Sequence, residues 1–157
     1  MPNWVRNEVS FWSDDDEKRK EILETLKSDE SVVDFQKIIP MPEEYLEDQR
    51  WYDWRVKNWG TKWNAHEPYV SDGYMDFNTA WSTPEPIIKR LSEMFKDVDF
   101  SVRFADEDFG YNVGEYTYCN GKLVDEFMPE GGSYEAYDLA ADILGYDMRE
   151  DPDWECD

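Results

Sequence analysis

The residues best suited to chemistry in this chain are one histidine, His66, and a very large number of carboxylates. A single histidine excludes a two-histidine metal site within one chain, and a proton shuttle at His66 would need a carboxylate or tyrosine partner that the sequence does not identify. Two carboxylates that lie roughly 5 to 10 Å apart can hydrolyse glycosides. Among 38 Asp and Glu residues, however, many pairs lie at this distance by chance. The segment 106–110 begins like a calcium loop and then lacks the later ligands. We therefore expect a protein that is not an enzyme and holds no cofactor or metal.

A second group of residues combines indole rings with two cations. One interpretation places these residues in a core that seals one end of a sheet. The other is a pocket in which a nucleotide stacks on the rings while a cation holds its phosphate. We favour the core and keep the nucleotide binder as an alternative function. The residues of this candidate ligand pocket are Trp54, Arg55, Trp59, Lys62 and Trp63.

Charge is the most informative property of the chain. Acidic residues outnumber basic ones 38 to 16, a net charge of −22, and the stretch from Asp106 onward has only Lys122 and Arg149 as bases. Such a charge attracts cationic surfaces and repels phosphate backbones and anionic membranes. We expect a basic protein partner, with no direct binding to nucleic acid or membrane. The carboxylates expected to form the partner-binding face are Asp106, Glu107, Asp108, Glu126, Glu130, Asp147, Glu150, Asp151, Asp153 and Glu155.

The elements that position these residues follow from hydrophobic periodicity. A hydrophobic content of 40%, with 17% aromatics, supplies one core, so we expect a single folded domain over residues 1–157. Asn120-Gly121 predicts the turn of a β-hairpin. Ser133 is predicted to cap a last helix. The predicted strands are 3–12, 32–39, 74–81, 99–105, 113–119 and 122–128, and the predicted helices are 14–27, a short one ending at Trp59, 82–95 and 134–144.

The order of these elements predicts an α+β fold. It is a ferredoxin-like (split βαβ) antiparallel sheet with helices on one face. An aromatic-rich insertion is expected at about 43–73, and an added hairpin and helix belong to an acidic C-terminal extension at about 106–157. In the last helix, we expect Tyr137, Ala140, Ala141 and Leu144 to face inward.

Four stretches of the chain also carry a family resemblance. They are Met1-Pro-Asn-Trp-Val-Arg-Asn, Ile38-Ile-Pro-Met-Pro-Glu-Glu, Asn58-Trp-Gly-Thr-Lys-Trp-Asn and Thr79-Ala-Trp-Ser-Thr-Pro-Glu-Pro. Over residues 1 to about 118 the chain resembles the YubB-type ferredoxin-like proteins of bacterial plasmids and phages. This resemblance implies a ferredoxin-like fold, a mobile genetic element and a bacterial host cytoplasm. It carries over no catalytic residue, and the acidic end from Glu126 lies largely outside it.

Charge and resemblance together suggest a function. We expect an acidic interaction protein that inhibits a bacterial defence complex, of the anti-CRISPR or anti-restriction type, by presenting carboxylates where phosphates would bind. A compact domain of this length is about 39 Å across. The same length of duplex DNA carries roughly 23 charges, close to the net charge of this chain. The alternatives are the nucleotide binder, a mobile-element accessory protein of another kind, and an acidic surface that only confers solubility.

Overall fold

In the computed structural model, which describes residues 3–145, six strands form one antiparallel sheet that packs against four α-helices. The strands are β1 (Trp4–Trp12), β2 (His66–Ser71), β3 (Tyr74–Ala80), β4 (Asp99–Asp106), β5 (Val113–Cys119) and β6 (Lys122–Phe127). The helices are α1 (Asp16–Leu26), α2 (Arg50–Asn58), α3 (Glu85–Met94) and α4 (Tyr134–Leu144). Two short 3₁₀ helices, Phe35–Lys37 and Glu43–Leu46, lie between α1 and α2.

The order of the strands confirms the predicted fold class. The sheet runs β2-β3-β1-β4-β5-β6, and every neighbouring pair is antiparallel. The first four strands, with α1 and α3 as their connections, are the split βαβ unit of a ferredoxin-like domain. The β5–β6 hairpin then extends the sheet beyond β4. Its turn at Asn120-Gly121 has the positive φ angles, 53° and 77°, that the sequence predicts.

The main core lies on one face of the sheet, which we call the front. Side chains alternate along a strand, and on β1 the front positions Val5, Val9 and Phe11 are fully buried. Helices α1 and α3 cover this face with apolar stripes that include Ile22 and Leu91. The two helices of the ferredoxin-like unit therefore share one face, as predicted.

The added helix α4 packs on the opposite face, which we call the back. Its partners Ala105 and Val113 are paired across β4 and β5 and point away from the front core. The predicted Ser133 cap is confirmed, because its side chain accepts a hydrogen bond from the amide of Ala136. The predicted inward set is only partly right, because Leu144 is exposed. The buried positions of α4 are Ala136, Leu139, Ala140, Ala141 and Ile143.

The prediction of a strand at 32–39 is wrong. The segment is a loop followed by a 3₁₀ helix, and the strand beside β3 is β2, which lies within the range predicted as an insertion. The reason is local: the Asp34 side chain accepts a hydrogen bond from the amide of Gln36 and caps the short helix. The apolar residues Val33 and Phe35 are buried by packing on the front core rather than by strand pairing.

A pair of polar side chains closes the base of the long segment between α1 and β2. Asp34 Oδ1 accepts a hydrogen bond of 2.8 Å from Asn64 Nδ2. Asn64 Oδ1 in turn accepts hydrogen bonds from the amides of Phe35 and Ala65. Burial raises the pKa of Asp34, but hydrogen bonds from Asn64, Ser28 and the Gln36 amide outweigh it and hold this pKa below its usual value. The ionised carboxylate is therefore the form that the fold favours.

We expect Asp34→Asn to lower the free energy of unfolding at pH 7 by about 1.5–3 kcal/mol, the range for hydrogen bonds to charged groups. A depressed pKa gives stability that is present above the unfolded-state pKa, near 4, and is lost as pH falls through the folded-state pKa. Urea denaturation between pH 2.5 and 7 should therefore show the gap between wild type and variant shrinking below pH 4. Asp29→Asn, on an exposed acid, is the control and should change little. A constant gap across this pH range would contradict the prediction.

Candidate functional site

The first of the predicted partner-binding acids has a structural role. Asp106 is buried, and its two carboxylate oxygens accept hydrogen bonds from the amide of Asp108 and the side chain of Asn112. These bonds hold the loop between β4 and β5. The neighbouring Glu107 is exposed, but its carboxylate accepts a hydrogen bond of 2.8 Å from the amide of Trp4. Asp106 is therefore not available to a partner.

Three of the other predicted acids lie within residues 3–145 and are accessible to a partner. Asp108, Glu126 and Glu130 are exposed. Glu126 pairs with Tyr116 of β5, whose side chain lies in the front core, so Glu126 points to the front. The remaining predicted acids lie outside the described residues: Asp147, Glu150, Asp151, Asp153 and Glu155.

A different set of charges meets on the back of the sheet. Strand pairing places Asp76, Glu8, Arg103 and Glu115 in one row across β3, β1, β4 and β5. A parallel row of smaller polar groups lies beside it and ends at Asp125 of β6. Together the two rows line a groove of about 420 Å³. The polar residues of this back groove are Glu8, Ser10, Tyr74, Ser101, Arg103, Glu115, Thr117 and Asp125.

Helix α4 adds three more carboxylates beside the back groove. Glu135, Asp138 and Asp142 are spaced by three and four residues and therefore lie along one side of the helix. Asp142 on that side forms an ion pair with Arg103 in the groove. We call the combined surface the acidic back face. Its acids are Glu8, Asp76, Glu115, Asp125, Glu135, Asp138 and Asp142, and its bases are Arg6 and Arg103.

The two arginines of the acidic back face are already engaged. Arg103 pairs with Glu8 at 2.7 Å and with Asp142. Burial lowers its pKa, but the hydrogen bonds that Arg103 donates to the carboxylates of Asp142 and Glu8 outweigh this, and the pKa of Arg103 is raised overall. Arg6 pairs with Asp76 at 3.3 Å. Because Arg103 pairs with Glu8 on β1 and with Asp142 on α4, it joins the sheet to this helix.

Four acids of this surface have no such partner. Within residues 3–145, they form neither an ion pair nor a hydrogen bond through their side chains. Carboxylates that no internal cation neutralises keep their full charge for an external one. The unpaired acids are Glu115, Asp125, Glu135 and Asp138.

The sequence contains one signal for this surface that lies outside the predicted set of partner-binding acids. Acids at 135, 138 and 142 follow helical spacing, which marks one charged side of α4. The row on the strands has no comparable signal, because the residues come from four separate strands. Only the register of pairing brings Glu8 next to Arg103 and Arg103 next to Glu115.

The predicted ligand pocket is packed. Trp59 is buried, donates its indole N–H to the Ile39 carbonyl at 2.8 Å, and meets Phe35 edge to face. Trp54 is partly buried and packs against the same core. These two rings therefore act as core, which supports the first of the two interpretations.

The two cations of the predicted pocket also lie on aromatic rings. The guanidinium of Arg55 lies 5.1 Å from the Trp51 ring centroid and 5.0 Å from that of Trp59. It contacts both indoles, and its burial lowers its pKa. The ammonium of Lys62 lies 4.3 Å from the Trp63 ring centroid. A nucleotide base could stack between Trp51 and Trp59 only by displacing Arg55.

Part of the chain is similar to known proteins. Residues 58–147 match the family described as the ferredoxin-like domain in Api92-like protein. The chain belongs to the Api92-like family. A comparison with curated proteins finds no significant match. The crystal structure of the protein Api92 from Yersinia pseudotuberculosis superposes with a TM-score of 0.50 at 18% identity, covering 64% of this chain and 41% of that one.

The Api92-like match covers two elements that contribute to the acidic back face. It includes β6 and α4, so these elements belong to the family domain. The chain spans about two fifths of the length of the Api92 chain that it matches. At 18% identity the superposition supports the shared fold alone.

Neither a metal-binding cluster nor a membrane-spanning helix is found in the described part of this Api92-like chain. Between residues 3 and 145, no three His, Cys, Asp or Glu side chains are grouped so that they could hold a metal ion. Over the same range, no helix combines the length and the apolar character needed to cross a membrane.

We expect Arg55→Ala to lower the free energy of unfolding by about 1–2 kcal/mol, because two partly desolvated cation–π contacts are lost. Urea denaturation followed by tryptophan fluorescence measures this change. Lys57→Ala removes an exposed cation from the same helix and should stay within about 0.5 kcal/mol of wild type. An Arg55→Ala variant as stable as wild type would show that the guanidinium does not hold the rings together.

Proposed function

We propose that this protein is a non-catalytic binding module whose acidic back face docks on the cationic surface of a nucleic-acid-binding protein. The observation that carries the proposal is a set of four unpaired carboxylates on the acidic back face. Glu115 and Asp125 line the back groove, and Glu135 and Asp138 lie on the side of α4 whose Asp142 pairs with Arg103 in the groove. Here strand register and helix spacing place the charges together.

The density of charge supports imitation of a phosphate backbone. The row from Asp76 to Glu115 crosses three strand spacings, or about 14 Å. Glu135 to Asp142 spans about 10 Å along α4. A 14 Å length of duplex DNA carries about eight phosphate charges. The seven carboxylates of the acidic back face are close to that number, although Arg6 and Arg103 offset two of them.

We further propose the biological setting in which the protein acts. The resemblance to YubB-type proteins suggests a plasmid or phage product that acts in the cytoplasm of a bacterial host. The cationic surfaces that such a product meets include the nucleic-acid channels of defence complexes. We infer that the partner is a CRISPR effector or restriction complex, and that the protein blocks it by occupying the channel in place of DNA.

Neutralisation of the unpaired acids should weaken this inhibition. The test measures displacement of labelled duplex DNA from purified CRISPR effector and restriction complexes by the wild-type protein and by a variant with Glu115→Gln, Asp125→Asn, Glu135→Gln and Asp138→Asn. Each exposed pair contributes up to about 1 kcal/mol, so we expect inhibition weaker by about tenfold to several hundredfold. Because such pairs are screened over about 8 Å at physiological ionic strength, 0.5 M salt should also abolish it.

The matched control removes the same number of exposed acids elsewhere. The variant Glu21→Gln, Glu24→Gln, Asp29→Asn and Glu30→Gln has the same net charge but changes residues in and after α1 on the front side. It should inhibit within about twofold of wild type. Equal loss in both variants would mean that net charge rather than the acidic back face acts. Inhibition that survives 0.5 M salt, or no displacement from any complex in the panel, would overturn the proposal.

A further inference from the structure

The strand β6 forms one edge of the sheet and is the most exposed strand in the described part of the protein. All six of its residues are exposed. Several of them are apolar, with exposed fractions of 41% for Leu123, 58% for Val124 and 47% for Phe127, and the following Met128 is 45% exposed. An exposed apolar edge with free backbone groups is a template for another strand.

The opposite edge of the sheet is protected against such pairing. Strand β2 contains Pro68, which has no amide hydrogen to donate. Its pairing with β3 shifts register between His66 and Tyr69, and Glu67 there has a φ of 50°. Proline and bulges are the devices by which proteins block edge-to-edge association. Strand β6 has a bulge near Val124 but no proline, so the two edges differ in whether a further strand can add.

The geometry of the hairpin identifies the backbone groups that β6 offers. In a two-residue type I′ hairpin the closing pair, here Cys119 and Lys122, is hydrogen-bonded. Alternation along β5 then makes Thr117 and Glu115 the next hydrogen-bonded positions, opposite Asp125 and Phe127. Apart from the bulge residue Val124, the residues of β6 between these pairs turn their amides outward. They are Leu123 and Glu126.

Both sides of this edge combine carboxylates with apolar side chains. On the back side, the unpaired carboxylates of Asp125 and Glu115 lie at the end of the back groove, and the exposed Phe127 pairs with Glu115. On the front side, Leu123 and Met128 are exposed beside Glu126. A strand with basic residues on the back side and apolar residues on the front side places its cations near Asp125 and Glu115 and its apolar side chains near Leu123 and Met128. A second copy of this chain would repeat Asp125 and bring another net charge of −22, so charge argues against self-pairing.

We propose that β6 is a docking edge for an extended segment of a basic protein partner, in which Lys or Arg alternates with apolar residues. The segment adds to the sheet as a seventh strand. Its amide and carbonyl groups pair with Leu123 and Glu126, and its basic side chains reach Glu115 and Asp125. This inference rests on the proposed function for the charge of the partner, and it adds the backbone mode by which the partner binds.

The test uses a synthetic decapeptide that alternates Lys and Val as the probe, with a Glu–Val peptide as its acidic counterpart. In amide-resolved NMR of the ¹⁵N-labelled protein, we expect shifts concentrated on β6 and slowed exchange of the Leu123 and Glu126 amides with the Lys–Val peptide alone. Shifts spread over other surfaces, equal binding of both peptides, or protection of these amides by self-association without peptide would overturn the proposal.

A matched pair of variants separates the backbone contribution from charge. Glu126→Gln removes the side-chain charge and keeps the backbone N–H. Glu126→Pro removes both the charge and the backbone N–H, at an outward position where an edge strand tolerates proline. We expect Glu126→Gln to bind the Lys–Val peptide within about threefold of wild type and Glu126→Pro to bind at least tenfold more weakly. Equal binding by the two folded variants would overturn the proposal. If Glu126→Pro does not fold, the proposal is tested by the exchange rates of the Leu123 and Glu126 amides in the wild-type protein, measured with and without the Lys–Val peptide.

The same assays distinguish failure of this inference from failure of the proposed function. If the four-acid variant loses inhibition and peptide binding while Glu126→Pro keeps both, the docking edge is wrong and charge-based binding stands. If Glu126→Pro loses peptide binding while the four-acid variant inhibits as well as wild type, the docking edge stands and the acidic back face is not the functional surface.

Discussion

The structure depends on the alternation of side chains along the central strand β1. This strand pairs with β3 on one side and β4 on the other, so its register fixes which residues of three strands share a face. The front of the sheet faces the core, because its β1 side chains Val5, Val9 and Phe11 are buried there. The intervening residues, Glu8 among them, then necessarily point to the back. A shift of one residue would exchange the two faces, and burial of the apolar set prevents it.

Charge acts within the frame that this alternation sets. The back of the sheet is only partly covered by α4, and the uncovered part is polar. Arg103 lies at the centre and joins Glu8 on β1 to Asp142 on α4. It thereby offsets repulsion where the acids are most crowded and links the helix to the sheet. The carboxylates farther from Arg103 have no internal cation, and their repulsion persists until an external cation neutralises it.

Much of the fold could be predicted because most strands bury one face. Strands β1, β3 and β4 alternate clearly, and the β5–β6 hairpin has Asn-Gly at its turn. Strand β2 was missed because an edge strand with Pro68 buries little and shows no apolar alternation. The segment 32–39 was mistaken for a strand because loop residues that pack into the core are as apolar as strand residues. Periodicity alone does not separate these cases.

The candidate surfaces were harder to predict than the fold, because they depend on contacts between distant segments. The density of acids after residue 105 was evident, but position along the chain does not determine which side of a sheet an acid faces. Asp106 shows this, since it continues the front-facing series of β4 and is buried.

The elements added to the ferredoxin-like unit explain why both surfaces lie where they do. The β5–β6 hairpin moves the edge of the sheet away from β4 and brings Glu115 and Asp125 to the back groove. Helix α4 then covers the part of the back formed by Ala105 and Val113, and its charged side borders the rest. A four-stranded unit without these additions would have neither the exposed edge of β6 nor the wall of carboxylates. Because both additions lie within the Api92-like match, the surfaces they create belong to the domain itself.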